Sequence, residues 1–600
     1  MGLKLPSAVR ASAMAATILA GQVVIGHDAE MGRGAAGLAP EPLPEICPRP
    51  TAGAVVEEPE DLRSENGVLK VELTVRNDKA KDGSLRFCYL LADGAQSPTL
   101  RLKPGDLLIL SLKNSLADID GAAHGAHAHH GSKVSLDPCK SGVMTITSAN
   151  LHFHGLSIPA LCHQDEVLQT SIQPDAPAFE YRFRIPDNEP PGLYWYHPHI
   201  HGFSSRQVLG GASGALIVEG IERATPEIAG MPERVLVIRD QDLVNPDAPP
   251  SASEPAAQAL IDRDGDAANN GTGWGKPAKD LSVNFVPVPY PDYPRASISV
   301  KPGERQLWRV LNASSVTYLN LTALYKRGAH FRPEWIGVAA IDGVPLSVSG
   351  KQGHAISWRD SIVVSPGSRV EFILTAPPAG VPAMLVTRTV NTGQAGENDP
   401  NRALVSIIAT PDAAEPRSSL PSPAALAKSL PPRAQPLPWL GDVPPARVRK
   451  LYFSEDPADP QNPGAGKFYL TVEGQTPAAF DPASTEPNIV VKQGDVEDWV
   501  IENRTNELHA FHIHQIHFQV RDWAGLTVNE PYLRDTVNVP FFDNTMKTYP
   551  SLTLRMDFRD PNTVGTFIYH CHLLDHEDGG MMGLIRVEPA DAAAAAHESR

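Results

Sequence analysis

Residues 101–114 read RLKPGDLLILSLKN, residues 299–312 read SVKPGERQLWRVLN, and residues 490–503 read VVKQGDVEDWVIEN. Each copy places a Gly two residues after a Lys, an acid directly after the Gly, and an apolar run that ends on Asn. The Lys-to-Asn separation is eleven residues in all three: 103 to 114, 301 to 312 and 492 to 503. Gly followed by an acid suits a tight turn, and the apolar run suits a strand entering a core. The copies lie about two hundred residues apart, roughly the size of one all-β domain. The repeat predicts three β-sandwich domains of one kind, over residues 55–222, 233–412 and 446–590.

Composition agrees with short strands and frequent turns, because 57 prolines and 47 glycines disfavour long helices. The Pro-rich stretch 413–445 reads as a surface linker. Residues 247–282 read as a loop insertion. Its Asp262, Asp264 and Asp266 are not accompanied by the Gly and distal Glu of a calcium loop at the required positions, so a solvated turn is expected. Lys4 and Arg10 precede or open an uncharged run over 11–26, which predicts a signal peptide over 1–26 and export to the periplasm or medium. No later stretch has eighteen consecutive apolar residues, so no stable membrane span is expected in the mature chain. A net charge of -17 without a basic run argues against a nucleic-acid partner. Cys47, Cys88, Cys139 and Cys162 could form two disulfides in an exported chain, with three connectivities, or stay as buried thiols.

Histidine is 21 of 600 residues, for which random placement gives roughly 0.7 His-x-His pairs. The chain has six, at 127/129, 152/154, 197/199, 199/201, 512/514 and 570/572. On a strand, residues i and i+2 share a face, so such a pair aims two imidazoles at one point, which suits a metal. Four pairs lie in strand-like settings: LHFHGL, YWYHPHIHG, FHIHQIHF and IYHCHLL. Two belong to the first predicted domain and two to the third, so one metal cluster between those domains is expected, with the second as a spacer. His163 and His517 stand alone and read as hydrogen-bonded histidines, as does His201 behind a complete pair. His124, His127, His129 and His130 sit in a Gly/Ala loop that suits weak metal binding or plain solvation.

In HCHLLDHEDGGMM, His570 and His572 share one face and Cys571 points to the other. His576 follows Cys571 by five residues and Met581 by ten, so a returning loop can bring both to the thiolate. With His509 the set is two imidazoles, one thiolate and one thioether, the pattern of a blue copper site. Zinc is disfavoured, because a Met ligand and eight nearby histidines suit copper redox chemistry better than a closed zinc site.

Together HFHG, HPHIHG, HAFHIH and HCHLLDHEDGGMM closely resemble the four signature segments of the multicopper oxidases, the family of laccases, bilirubin oxidases and cuprous oxidases. The resemblance implies an all-β chain of three cupredoxin-like Greek-key β-sandwich domains, laccase-like and of bacterial type. It implies four coppers. The type 1 copper falls to His509, Cys571, His576 and Met581, and the type 2 copper to His152 and His512. The type 3 pair falls to His154, His197, His199, His514, His570 and His572. Glu577 matches an acid that delivers protons to the oxygen cluster. Asp165 matches a second acid beside the type 2 copper, at a longer spacing from His152 than familiar members have. The implied partners are a small-molecule reductant and dioxygen, with four one-electron oxidations coupled to water formation.

Phenols or similar aromatics are the expected donors. A metal-ion oxidase acting on Cu(I), Fe(II) or Mn(II) is the alternative. The ten methionines are scattered apart from Met581 and Met582, which weighs against a Cu(I) specialist. A structural or assembly protein without turnover is disfavoured by the full set of twelve ligands, and a copper nitrite reductase would not need four His-x-His pairs.

Overall fold

In a computed structural model the three repeat copies make the same corner. The Gly of each turn, Gly105, Gly303 and Gly494, has φ of 87°, 72° and 99°, a left-handed conformation open to glycine without strain. Each turn joins two strands that belong to different sheets. Thr99–Leu102, Ala296–Val300 and Ile489–Lys492 lie before it. Leu107–Asn114, Arg305–Asn312 and Val496–Asn503 follow it. The incoming strands pair in parallel with Gly214–Val218, Arg402–Ala409 and Met582–Glu588. The outgoing strands pair in parallel with Val68–Lys79, Pro232–Gln241 and Arg447–Asp456. The turn therefore carries the chain across a two-sheet sandwich, three times over.

The structure describes residues 45–119, 137–249, 260–262, 265–349, 355–428, 437–456 and 467–590. The expected signal peptide, the His124–His130 loop and Asp264 lie outside them. Within them every sheet belongs to one of three sandwiches. Sheets of four and five strands form the first, nine and six the second, and six and five the third. Each sandwich encloses its own apolar core, centred on residues such as Leu110 and Phe153, Trp308 and Phe372, and Trp499 and Phe511. The alternation of buried and part-exposed residues along Leu107–Asn114 is the period-two signature that the repeat led one to expect.

The terminal Asn of each copy is fully buried. Asn114 donates to the carbonyls of Thr147 and Ile172, Asn312 to those of Thr317 and Val364, and Asn503 to those of Glu507 and Val539. Its side-chain oxygen accepts an N–H two residues on, from Leu116, Ser314 or Thr505. One amide thus satisfies three backbone groups where the strand leaves the sheet.

Two expectations change in detail. The stretch read as a surface linker is partly built in, since Ser418–Ser419 pairs with Pro232–Glu233 and the Ser418 hydroxyl donates to Glu233 at 2.6 Å. A short helix, Pro423–Leu426, follows it. In the insertion, Asp266 pairs with Lys279 at 2.6 Å and Asp262 accepts the N–H groups of Gly265 and Asp266, so both acids serve the loop itself. The four cysteines of the first third form two disulfides, Cys47–Cys88 and Cys139–Cys162.

Candidate metal centres

Strand pairing brings the histidines together. His152–His154 runs antiparallel to Gly192–His197, with His152 opposite His197. His509–Ile513 runs antiparallel to Gly565–Cys571, with His512 opposite His570 and Phe511 opposite Cys571. The first pair lies in the first sandwich and the second in the third. Eight imidazoles meet between them, with His152 stacked on His514 at 3.7 Å and His154 on His512 at 3.9 Å. Donor atoms converge in groups: His154, His197 and His572; His199, His514 and His570; and His152, His154 and His512.

All eight are buried, with at most 2% of any residue exposed. Burial is the first cause that lowers the pKa of His152, His154, His197, His512 and His514 well below the ordinary value. It brings His199 to about 4 and His572 to about 3. Neutral imidazoles keep a lone pair for a metal. Five of them also have one nitrogen committed. His152 Nδ1 lies 3.0 Å from Asp165, His154 Nε2 lies 3.2 Å from Asp535, and His197 Nδ1 meets the Pro198 carbonyl at 2.9 Å. His512 Nδ1 meets the Asp535 carbonyl and His570 Nδ1 the Cys571 carbonyl, both at 2.9 Å. In each of the five the other ring nitrogen is buried without a hydrogen-bond partner. Orphaned buried nitrogens cost free energy unless something takes their lone pairs, and five aimed at one volume suit metal ions.

The two predicted acids flank this cluster. Asp165 is fully buried and accepts the Phe153 N–H at 2.8 Å and the Gln515 amide at 2.7 Å. Burial raises its pKa well above the ordinary carboxylate range, against those hydrogen bonds. The Cys139–Cys162 disulfide pins the loop that carries it. Glu577 lies 3.1 Å from His570 Nδ1 and 3.6 Å from His199 Nε2. Burial raises its pKa, but the neighbouring imidazoles of His199 and His570 outweigh that and hold the carboxyl low.

The second group surrounds Cys571. Its sulfur lies 3.6 Å from His509 Nδ1 and 3.9 Å from His576 Nδ1, and the two nitrogens are 3.2 Å apart. Helix Leu574–Asp578 begins just past His572 and places His576 and Glu577 on successive positions, about 100° apart, so they serve different groups. Met581 is buried, and its carbonyl accepts the Cys571 N–H at 3.0 Å. The Asn503 corner reaches this site through Thr505, whose hydroxyl lies 2.8 Å from both Asn503 Oδ1 and His509 Nε2. A hydroxyl has one proton. If it donates to Asn503 it accepts from His509 Nε2–H, which leaves Nδ1 free to face the sulfur. Burial pushes the Cys571 thiol far above its ordinary pKa, so the thiolate needs a bound cation.

His163 and His517 make backbone contacts, to the Glu180 carbonyl at 2.6 Å and the Asp342 carbonyl at 3.2 Å. His201 stands edge-on to Phe480, 5.1 Å away. Two functional residues escaped the sequence reading, Asp535 and Arg369. Asp535 holds His154 and His512, and Arg369 grips its carboxylate at 2.8 and 2.6 Å. Asp535 lies in PYLRDTVNV and Arg369 in SPGSRVEF, and neither stretch has metal-ligand spacing.

Two multicopper oxidase family models match the chain, over residues 144–223 and 452–591. These segments contain all the histidines of both groups. A multicopper oxidase of Staphylococcus haemolyticus is 22% identical over 536 residues, which is 88% of this chain and 90% of that protein. The crystal structure of a multicopper oxidase from Aquifex aeolicus superposes with a TM-score of 0.60 at 19% identity, covering 90% of this chain and 100% of that one. A Campylobacter jejuni multicopper oxidase, described as a metallo-oxidase, gives 0.58 at 22%, covering 92% and 99%. The likeness gives the fold, three cupredoxin-like domains. The two family matches and the convergent histidines identify multicopper oxidase domains in the first and third sandwiches, and they support a copper-binding oxidoreductase that uses dioxygen.

Proposed function

We propose a laccase-like oxidase that takes electrons singly from phenols or similar aromatic donors and reduces dioxygen to water. The observation that carries this reading is the placement of Cys571 between His570 and His572, which joins the two groups through adjacent peptide units. Four coppers would be held. His509, Cys571, His576 and Met581 would hold the type 1 ion, and His152 and His512 the type 2 ion. His154, His197, His199, His514, His570 and His572 would hold the type 3 pair. The bound coppers supply the one-electron redox chemistry and the four-electron reduction of dioxygen. Asp165 fixes the orientation of the His152 ring, because both its oxygens lie 3.0 Å from Nδ1 and Nε2 then faces the cluster. Glu577 would relay protons through its carboxyl oxygens, which lie beside His570 and His199 and are shielded from bulk water.

A second reading, oxidation of a metal ion, is favoured by one observation. Carboxylates stand at the outer edges of both type 1 imidazoles: Glu455 is 3.5 Å from His509 Nε2, and Glu507 is 3.3 Å from His576 Nε2. Acids there suit a cationic donor. The test is metal content and oxygen uptake of copper-loaded protein, across phenols, aromatic amines, bilirubin, Cu(I), Fe(II) and Mn(II). Four coppers per chain are expected, with phenols faster than Cu(I). One copper, or zinc at full occupancy, would end the copper assignment; saturable metal-ion oxidation without phenol turnover would exchange the two donors.

The proposed location is outside the cytoplasm. No helix among the described residues is long and apolar enough to cross a membrane. N-terminal sequencing of protein from the native host is expected to find the leader removed; an intact Met1 on cytosolic protein would refute export.

A further inference from the structure

The second sandwich supplies no histidine to either group among the described residues, yet it reaches the larger one. Arg369 opens its strand Arg369–Thr375 and is fully buried. The guanidinium donates from Nη1 and Nη2 to the two oxygens of Asp535, at 2.8 and 2.6 Å. Nε donates to the Leu193 carbonyl of the first sandwich at 3.0 Å, and Nη1 also to the Gly367 carbonyl at 3.1 Å. Its backbone N–H donates to Asp342 at 2.9 Å. The fork is therefore held on every side, and so is the carboxylate it grips. Gly155, the residue after the first His-x-His pair, has φ of 91°, and a Cβ there would lie 2.5 Å from Arg369 Nη2. That close approach explains the Gly of HFHG.

Asp535 acts on two imidazoles at once. Its Oδ1 lies 3.2 Å from His154 Nε2, and its backbone carbonyl accepts from His512 Nδ1 at 2.9 Å. The Thr536 hydroxyl donates to Oδ1 at 2.8 Å, which completes the seat. Each contact puts the ring proton on the nitrogen that faces Asp535, leaving His154 Nδ1 and His512 Nε2 bare toward the cluster. We propose that Arg369 and Asp535 are positioning residues of the oxygen-reducing site. Together they lock the tautomers and ring orientations of one type 3 and one type 2 ligand, so the second sandwich sets the geometry of ligands it does not carry. The proposal rests on the copper reading of the histidines.

The experiment compares Asp535→Asn and Arg369→Lys with the parent, as copper-loaded full chains. Asparagine presents an N–H₂ where Arg369 or His154 needs an acceptor, and lysine keeps the charge but cannot hold both oxygens. For Asp535→Asn, the blue type 1 absorption should stay at parent intensity. The type 2 electron paramagnetic resonance signal should shift or weaken. The kcat should fall about 10–100-fold with the donor KM unchanged. Arg369→Lys should move the same readouts in the same direction by less, and it carries the test if the Asn variant fails to fold. Two folded variants with the parent's type 2 spectrum and kcat overturn the proposal, whatever their melting temperatures. A parent that is blue but lacks a type 2 signal removes the copper assignment of His152 and His512 and this proposal with it; a normal parent beside unaltered variants removes the positioning role alone.

Discussion

In the third sandwich, the strand His509–Ile513 turns Phe511 and Ile513 into the core and His512 away from it. In the second, Leu319–Arg327 turns Leu319, Leu321 and Ala323 inward and leaves Asn320 and Thr322 on the other face. Both strands follow the same Asn corner, and each pairs antiparallel with a later strand of its own sheet. Core-facing positions keep the sandwich, and any apolar side chain of suitable size serves there. Outward positions face a neighbouring sandwich and are free to carry chemistry. Histidine there makes half a metal site, whereas Asn and Thr make none. The fold and the site are thus written on alternate residues of the same strands.

The strongest way to break this comparison is to remove a functional side chain that points inward. Cys571 is buried in the core of the third sandwich, while its neighbours His570 and His572 belong to the cluster. Cys571→Ser replaces a soft thiolate by a hard hydroxyl. The blue absorption should vanish and turnover should fall to background, while metal analysis still finds the cluster coppers. A Ser variant that stays blue would mean that the type 1 assignment is wrong.

Glu577→Gln is the smaller, complementary change. It keeps the shape and removes the ionisable group beside His570 and His199. Blue colour should be retained, and dioxygen reduction in single-turnover measurements should slow by about 10²–10⁴-fold, the usual contribution of a positioned proton donor. Parent-rate reduction would leave Glu577 a merely structural role.

What the sequence disclosed follows the same division. The repeat and the His-x-His pairs are periodic, and period two survives into the strands, so sandwiches and cluster were legible in RLKPGDLLILSLKN and LHFHGL. Disulfide pairing was not, because four cysteines allow three connectivities and only the fold brings Cys47 to Cys88 and Cys139 to Cys162. Arg369 and Asp535 were hidden because they lie 166 residues apart in different sandwiches and neither belongs to a pair. Reading the second sandwich as a spacer followed from its lack of His-x-His; its guanidinium acts through a partner no local pattern reveals.

The smallest expected effect tests whether the shared corner serves only the fold. Asn312 and Asn503 each satisfy three buried backbone groups. Replacing either by Ala strands those groups at about 1–3 kcal/mol for a buried unsatisfied donor or acceptor, with incomplete additivity. Both variants should therefore unfold at lower denaturant concentration by similar amounts. They should differ in colour. Asn503 also orients Thr505, which holds His509 Nε2, so Asn503→Ala loosens that contact and should shift the blue absorption and the type 1 potential. Among the described residues no hydroxyl joins the Asn312 oxygen to the Cys571 group, and Asn312→Ala should leave the spectrum unchanged. Spectra that move equally in both variants would show that the corner acts on the copper site through global loosening, and the specific path through Thr505 would fall.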